Sequence, residues 1–230
     1  MIRKKVFVLA FIFTAIILFF EPKMVLAQIE QVNHWETVVY SNDTWKYLVG
    51  NSEPNFYWRT LTFDDSSWLE GKGGIGYGDD DDSTIIAPAL SIYQRRLFTI
   101  SDTSKIKAIL FHIDYDDAFV AFLNNHEIAR SNIGQVGDHP MYNTSATTYS
   151  EAQMYLGGDP EGFFLDKKDF ADYLIEGENI LAIQVHNYGP TSSDLTSIPF
   201  LSVGIGDESI TYGEVPDWFT VPKIFTSSNL

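Results

Sequence analysis

Residues 106–113 are apolar on both faces, with Ile106, Ala108 and Leu110 on one side and Ile109, Phe111 and Ile113 on the other. A strand buried within a sheet reads this way. Asp114, Asp116 and Asp117 interrupt the run, and short carboxylates that bond their own backbone mark a tight turn. A second apolar run covers 118–123, and Asn124-Asn125 follows, a pair able to take the positive φ of a two-residue type I′ hairpin. With that turn Leu123 faces His126, Ala121 faces Ile128, and Phe122 lies beside Glu127 on the opposite face. The pattern over 106–130 predicts three consecutive antiparallel strands, a meander within a β-sandwich.

Alternation elsewhere agrees. Two short strand-like segments between residues 35 and 48 flank the turn Ser41-Asn42-Asp43. Residues 92–100 form a strand whose Arg95 and Arg96 put one cation on each face, one of them meeting an aspartate. Residues 166–175 read as one short helix, with Phe170, Tyr173 and Leu174 on one side and Gly177 as its stop. The strand at 179–187 turns Leu181, Ile183 and Val185 to the core, and 198–205 closes the sheet. Residues 134–160 have little periodicity; a loop this long lies over one end of such a domain and forms a rim.

The first residues are not part of this fold. Arg3, Lys4 and Lys5 precede an apolar run at 6–20, and Val25-Leu26-Ala27 supplies a small-residue cleavage site, the order of a secretory signal. The run is shorter than the ~20 residues that span a bilayer. Residues 1–27 are therefore expected to be removed, giving a secreted or cell-surface protein with no membrane segment after cleavage. Cleavage leaves 11 of the 15 basic and 30 of the 31 acidic residues, a net charge of −19. So acidic a surface repels nucleic acid and anionic lipid and favours divalent cations. There is no cysteine, so stability rests on the core or on metal.

The glycines and aspartates at 71–82, GKGGIGYGDDDD, do not make a phosphate loop, which needs Lys-Ser/Thr entering a helix. Four adjacent carboxylates in a glycine-flanked loop suit Ca²⁺, although the spacing is not that of an EF-hand. Asp79, Asp80, Asp81 and Asp82 are thus candidate ligands of a structural Ca²⁺, against a solvated acidic tip. The Phe63-to-Trp68 segment is a turn anchored by its aromatics; no histidine or nucleophile elbow accompanies its Ser and Asp. Trp45, Trp58 and Trp68 could stack on sugars; core filling is the favoured reading for Trp45 and Trp68, and Trp58 stays open between the two. His112 and His186 lie in strands, where a hydrogen-bonded histidine is commoner than a metal or acid–base pair.

The segment DYDDAFVAFLNNHEIAR resembles the hairpin of galactose-binding-domain-like jelly rolls. WKYL (45–48), FDDSSW (63–68), GGIGYGDDDD (73–82), YQRRLFTI (93–100), NILAIQVHN (179–187) and SSDLTSIPFLSVGI (192–205) add to it. Together they resemble the accessory sandwich of secreted bacterial proteins that continue into a spore-coat-protein-H-type kinase-like domain or a lamin-tail domain. The resemblance covers roughly residues 35–206. It implies an all-β jelly-roll β-sandwich with one short helix at 28–206, then a linker at 207–230 toward a following domain. It also implies a monomeric, non-catalytic module that binds a glycan or packs on a neighbouring domain as a spacer. Tyr77, Tyr115, His186, Asn187 and Tyr188 sit at expected strand ends and are the candidate glycan contacts. A hydrolase with a carboxylate pair is the less favoured alternative, since each prominent aspartate sits in a turn.

Overall fold

The structure is a computed structural model that describes residues 32–222. The expected signal segment, residues 1–27, lies outside the described residues, as do 223–230. The strands in chain order are β1 (His34–Val39), β2 (Thr44–Val49), β3 (Leu69–Lys72), β4 (Ile75–Gly76), β5 (Thr84–Ile85), β6 (Ser91–Ile100), β7 (Ile106–Tyr115), β8 (Ala118–Leu123), β9 (His126–Ser131), β10 (Glu161–Asp166), β11 (Gly177–His186) and β12 (Ser197–Ile205). A four-stranded sheet, β1-β12-β7-β10, faces a six-stranded sheet, β3-β2-β6-β11-β8-β9. Pairing within both is antiparallel, and β4 with β5 forms a small parallel ladder. This is the jelly-roll sandwich expected, with a single short α-helix among the described residues.

Strand alternation builds two apolar layers. Phe119, Ala121 and Leu123 of β8 and Leu181, Ile183 and Val185 of β11 join Phe111 and Val203 between the sheets. The alternate residues Val120, Phe122, Ile180 and Ala182 point outward and are covered by Trp58, Trp68 and Tyr93. The three tryptophans are core residues, Trp45 between the sheets and Trp58 and Trp68 in the outer layer.

The meander is corrected in one respect. β7 and β8 belong to different sheets, so the aspartate-rich segment between them is a crossing and not a hairpin turn. Asp116 N donates to Thr196 O (3.1 Å), just before β12, and Asp117 N donates to His186 O (3.0 Å) of β11. Each amide thus bonds toward a different sheet. The β8–β9 hairpin does form, with Asn124 at φ 48° and Asn125 at φ 73°. Leu123 pairs with His126 and Phe122 with Glu127, but Ala121 meets Ala129, because Ile128 is the extra residue of a β-bulge.

The helix is shorter than expected. Only Lys167–Phe170 (α1) is helical, started by a capping box between Asp166 and Asp169. Phe170 and Leu174 are buried as the pattern required. The strand β10 was not anticipated; its Phe163 packs inward and its Phe164 outward against Trp35. Both arginines of β6, not one, meet aspartates: Arg95 with Asp65 (2.7 Å) and Arg96 with Asp43 (3.3 Å).

The segment expected as linker lies against the sandwich over residues 207–222. Thr37 N donates to Gly213 O (2.8 Å). Trp218 packs on His112 and Phe200, with centroids 5.0 and 4.8 Å apart, and Phe219 packs on Trp35 at 5.8 Å. Truncation after Gly206 exposes these rings. With ~1.5–3 kcal/mol for a large apolar side chain and roughly 2–4 °C per kcal/mol at this size, the melting midpoint should fall by roughly 5–10 °C. Differential scanning calorimetry checks this, and an unchanged midpoint would return the segment to the role of free linker.

His112 and His186 are almost fully buried. His112 Nε2 donates to Thr220 O (3.3 Å), and His186 Nδ1 to Thr144 O (2.7 Å). Burial pushes the pKa of each down to about 4, against the opposing pull of the carbonyl bond. The unfolded chain takes up these protons near 6.5, so their contribution is complete above that pH and is lost as pH falls toward 4. The loss is on the order of 2–3 kcal/mol per histidine. His112→Phe should therefore gain stability relative to wild type between pH 6.5 and 4, measured as the difference of two urea-unfolding curves.

Candidate functional site

One end of the sandwich gathers carboxylates from four chain segments. The glycine-rich stretch before β5 is fixed to the lead-in of β12 by reciprocal amide bonds between Tyr77 and Leu195, both 2.8 Å. Gly78 (φ 119°) permits this approach, since a Cβ there would meet Asp194 Cβ at 2.5 Å. Asp79 and Asp194 are thereby brought together. The crossing from β7 to β8 contributes Asp114 and Asp116, and the long loop after β9 contributes Glu151.

The aspartates of the crossing cap a remote loop and not their own turn. Asp114 accepts from Gln153 N (2.8 Å) and Met154 N (2.7 Å), and Asp116 Oδ1 accepts from Ala152 N (2.7 Å). Asp117 accepts from Ser150 N (3.0 Å) and Tyr188 N (2.7 Å). The loop expected to form a rim is therefore tied down by charge-assisted bonds.

Asp116 Oδ2, both Asp82 carboxylate oxygens and Asp79 Oδ2 are buried and have no hydrogen-bond partner among the described residues. Burial raises the pKa of Asp82 to about 8, and Asp81, Asp116 and Asp79 add to the shift. Burial likewise raises Asp116 to about 8, reinforced by Asp194, Glu151 and Asp79 against the bond from Ala152 N. Asp79, Asp81, Asp114 and Glu151 are also raised, burial being the largest cause for each. Every charged neighbour acting on these six groups is itself a carboxylate. Like charges ~4 Å apart repel by roughly 4 kcal/mol at the effective dielectric near a protein surface.

A divalent cation would relieve this repulsion. One carboxylate oxygen from each of Asp79, Glu151 and Asp194 lies within 4.8 Å of the others. Oxygens on opposite sides of a Ca²⁺-sized ion stand about 5 Å apart, so the spacing fits a shared ion, and the donors are all hard oxygens. Of the four residues foreseen as metal ligands, only Asp79 belongs to this group of three; Asp81 and Asp82 lie beside it, close enough for their charges to act on one another. Asp81 is held by Thr196 Oγ1, at 3.3 Å to one oxygen. Asp80 stands apart, exposed at φ 64°. Glu151 and Asp194, the other members of the group, were not foreseen as candidates. Neither carries a local signal, since each comes from a segment without regular pattern.

No protein-family model and no curated protein matches the chain. Among solved structures it is similar to the β-glucuronidase of Bacteroides uniformis, at 17% identity over 74% of this chain and 18% of that one, with a TM-score of 0.47. A glycosyl hydrolase family 2 member from Bacteroides cellulosilyticus DSM 14838 gives 17% identity over 74% and 20%, TM-score 0.45. A β-glucuronidase from an uncultured Clostridium sp. gives 16% over 75% and 29%, TM-score 0.45. The chain thus spans under a third of the length of each.

Four of the five foreseen glycan contacts are buried framework. Tyr77 OH accepts from Asn187 Nδ2 (2.9 Å) and donates to Ser192 O (3.2 Å). Tyr115 OH bonds Ser131 Oγ and Glu161 Oε2, both 2.8 Å. His186 and Asn187 are 0% exposed. Such side chains hold the loops and do not meet a ligand at the surface. Tyr188 is different: it is 41% exposed and stacks on Tyr149 with centroids 4.0 Å apart.

The carboxylate repulsion gives a direct test. In chelator, Asp82→Asn or Asp116→Asn should melt no lower than wild type. Wild type should gain several degrees with CaCl₂ or MgCl₂, since saturation at ~100 times the dissociation constant adds about 2.7 kcal/mol; the variants should gain little. Equal cation responses in wild type and both variants would show that these carboxylates hold no ion.

Proposed function

We propose that this chain is an exported, non-catalytic β-sandwich module that binds carbohydrate at its loop end, with Ca²⁺ as a structural ion held by Asp79, Asp82, Asp116, Glu151 and Asp194. The observation that carries the reading is the link between the acidic basket and an exposed aromatic stack. Asp117, next to Asp116, accepts from the backbone N–H groups of Ser150 and Tyr188. The stacked pair, Tyr188 and Tyr149, therefore hangs on the same crossing as the carboxylates. An aromatic face covers the apolar side of a pyranose, and carboxylates and amides beside it bond sugar hydroxyls.

The absence of catalysis is inferred from burial. The two aspartates with the highest pKa values, Asp82 and Asp116, have their free oxygens closed off from solvent, and a glycosidase needs an acid that reaches the scissile bond. His112 and His186 are committed to backbone carbonyls. Export follows from residues 1–27, and the acidic surface argues against nucleic acid as partner. The parent architecture would be a surface or secreted protein that continues into a kinase-like or lamin-tail domain. A spacer role is the second reading, favoured by the docking of residues 207–222, which would fix a following domain rigidly to the sandwich.

A glycan array probed with the purified chain in the presence of Ca²⁺ tests the proposal. Binding is expected, and Tyr188→Ala and Tyr149→Ala should each weaken it about tenfold or more, as the loss of an aromatic stacking partner does, without moving the midpoint much. An array with no positive glycan, repeated with Ca²⁺ present, would leave the spacer reading. Hydrolysis abolished by a single aspartate substitution would overturn both.

A further inference from the structure

The other half-buried or buried arginines face carboxylates: Arg95 bonds Asp65, Arg96 bonds Asp43 and Arg130 bonds Glu127. Arg59 does not. It is 4% exposed, no carboxylate among the described residues stands within ion-pair distance, and its Nε has no hydrogen-bond partner. It belongs to the short 3-10 turn Phe56–Arg59. The guanidinium is clamped 4.9 Å from the Phe56 ring centroid and 4.6 Å from that of Phe122. Its Nη1 donates to His139 Nδ1 at 2.8 Å. Because arginine can only donate, that bond makes Nδ1 an acceptor and leaves Nε2–H of the exposed His139 as a second free donor. A buried charge without a counter-charge is costly, and in a chain of net charge −16 an unmatched guanidinium is conspicuous.

These groups line a cleft of about 30 Å³, together with Trp58, Gln184 and Glu53. The space suits one small head group. Glu53 is the one carboxylate on its wall and is held by Tyr142 N at 2.8 Å. Glu127, which also acts on Arg59, is bonded by Arg130 (2.9 Å) and by Gly137 N (3.0 Å). Phe56, on the wall of the cleft, is 60% exposed and stands edge to face at 5.8 Å with Tyr57, 64% exposed.

We propose that this cleft receives the carboxylate of an acidic sugar, a uronate, with the carboxylate at Arg59 and His139 and the sugar ring against Phe56 and Tyr57. Planar donors match a carboxylate, and the exposed rings supply the face that a pyranose covers. The sugar part rests on the carbohydrate-binding reading; the anion part does not. The site is separate from the Tyr149–Tyr188 stack.

The test uses the full chain, ¹⁵N-labelled, titrated with glucuronate, glucose and acetate and followed by NMR. Glucuronate should shift the Arg59 Nε–H and Trp58 indole signals, glucose should shift neither, and acetate should bind more weakly than glucuronate. Phe56→Ala alters an exposed residue and should keep the melting midpoint, whereas His139→Ala removes the acceptor of a buried Arg59 donor and should lower it by a few degrees; both should weaken glucuronate binding several-fold. Glu53→Gln should tighten it a few-fold by removing a like charge, and 0.5 M NaCl should loosen it. Arg59→Met should abolish it if that variant folds. No shift at Arg59 up to tens of millimolar glucuronate, or binding unaffected by His139→Ala and Glu53→Gln, overturns the proposal. Acetate binding as tightly as glucuronate overturns the sugar assignment. Neutral-glycan binding lost in Tyr188→Ala but kept in His139→Ala would place the two sites apart, so either can fail alone.

Discussion

The crossing from β7 to β8 is the constraint on which one end of the molecule depends. Asp114, Asp116 and Asp117 sit where the chain leaves one sheet for the other, and together their carboxylates accept from Ser150, Ala152, Gln153, Met154 and Tyr188. An irregular loop has no ladder to satisfy its amides, so unmet donors would cost it a fixed shape. Carboxylate oxygens meet them, and an ionised acceptor makes a bond roughly twice as strong as a neutral one. The same choice has a consequence. Using carboxylates here packs negative charge against the glycine-rich loop, whose own aspartates already repel. The loop is ordered at the expense of the basket, and a cation there would relieve the repulsion.

The molecule thereby separates its unmatched charges. Buried carboxylate oxygens without partners collect at the crossing, while an unmatched guanidinium, Arg59, lies under the outer face of the six-stranded sheet. The other buried or half-buried arginines are locally neutralised, as Arg95 is by Asp65, and half-buried Lys167 is held by the carbonyls of Thr103 and Ile106. Structural ion pairs shift little and are replaceable by apolar residues. The unmatched groups are different, because each would be stabilised by an opposite charge that the described residues do not supply.

Much of this architecture was legible in the sequence because strand burial writes itself as alternation. β6, β11 and β12 begin and end within one or two residues of the expected positions, and Asn124-Asn125 makes the hairpin its chemistry demanded. What could not be read was which sheet a strand joins. Alternation in β7 and β8 is the same whether they pair with each other or with β12 and β11, so a crossing looked like a turn. Likewise, an aspartate that caps its own turn and one that caps a loop 36 residues away, as Asp116 does for Ala152, have the same local sequence. Tyr77, Tyr115, His186 and Asn187 lie at strand ends as expected, yet polar residues there serve buried bonds as readily as ligands. The acidic run was visible, but Glu151 and Asp194 come from segments without regular pattern, and only the fold brings them to it.

The distribution of covered surface decides where a ligand can meet this protein. The six-stranded sheet is buried on both faces, inside by the four-stranded sheet and outside by the layer around Trp58 and Trp68. The outer face of the four-stranded sheet carries Trp35, His112 and Phe200, and Trp218 and Phe219 lie across it. An open sheet face, which many sandwiches offer to extended ligands, is thus covered here by the chain itself. The aromatic residues of the loops divide accordingly. Those that complete a core are buried, such as Trp58. Those left in solvent include Tyr149, Tyr155, Tyr188, Phe56 and Tyr57; of these, Phe56 lies against Arg59, and Tyr188 is tied by its amide to Asp117. Apolar surface and unmatched charge together are what a ligand with a ring and hydroxyls or a carboxylate would satisfy, and neither is needed by the fold.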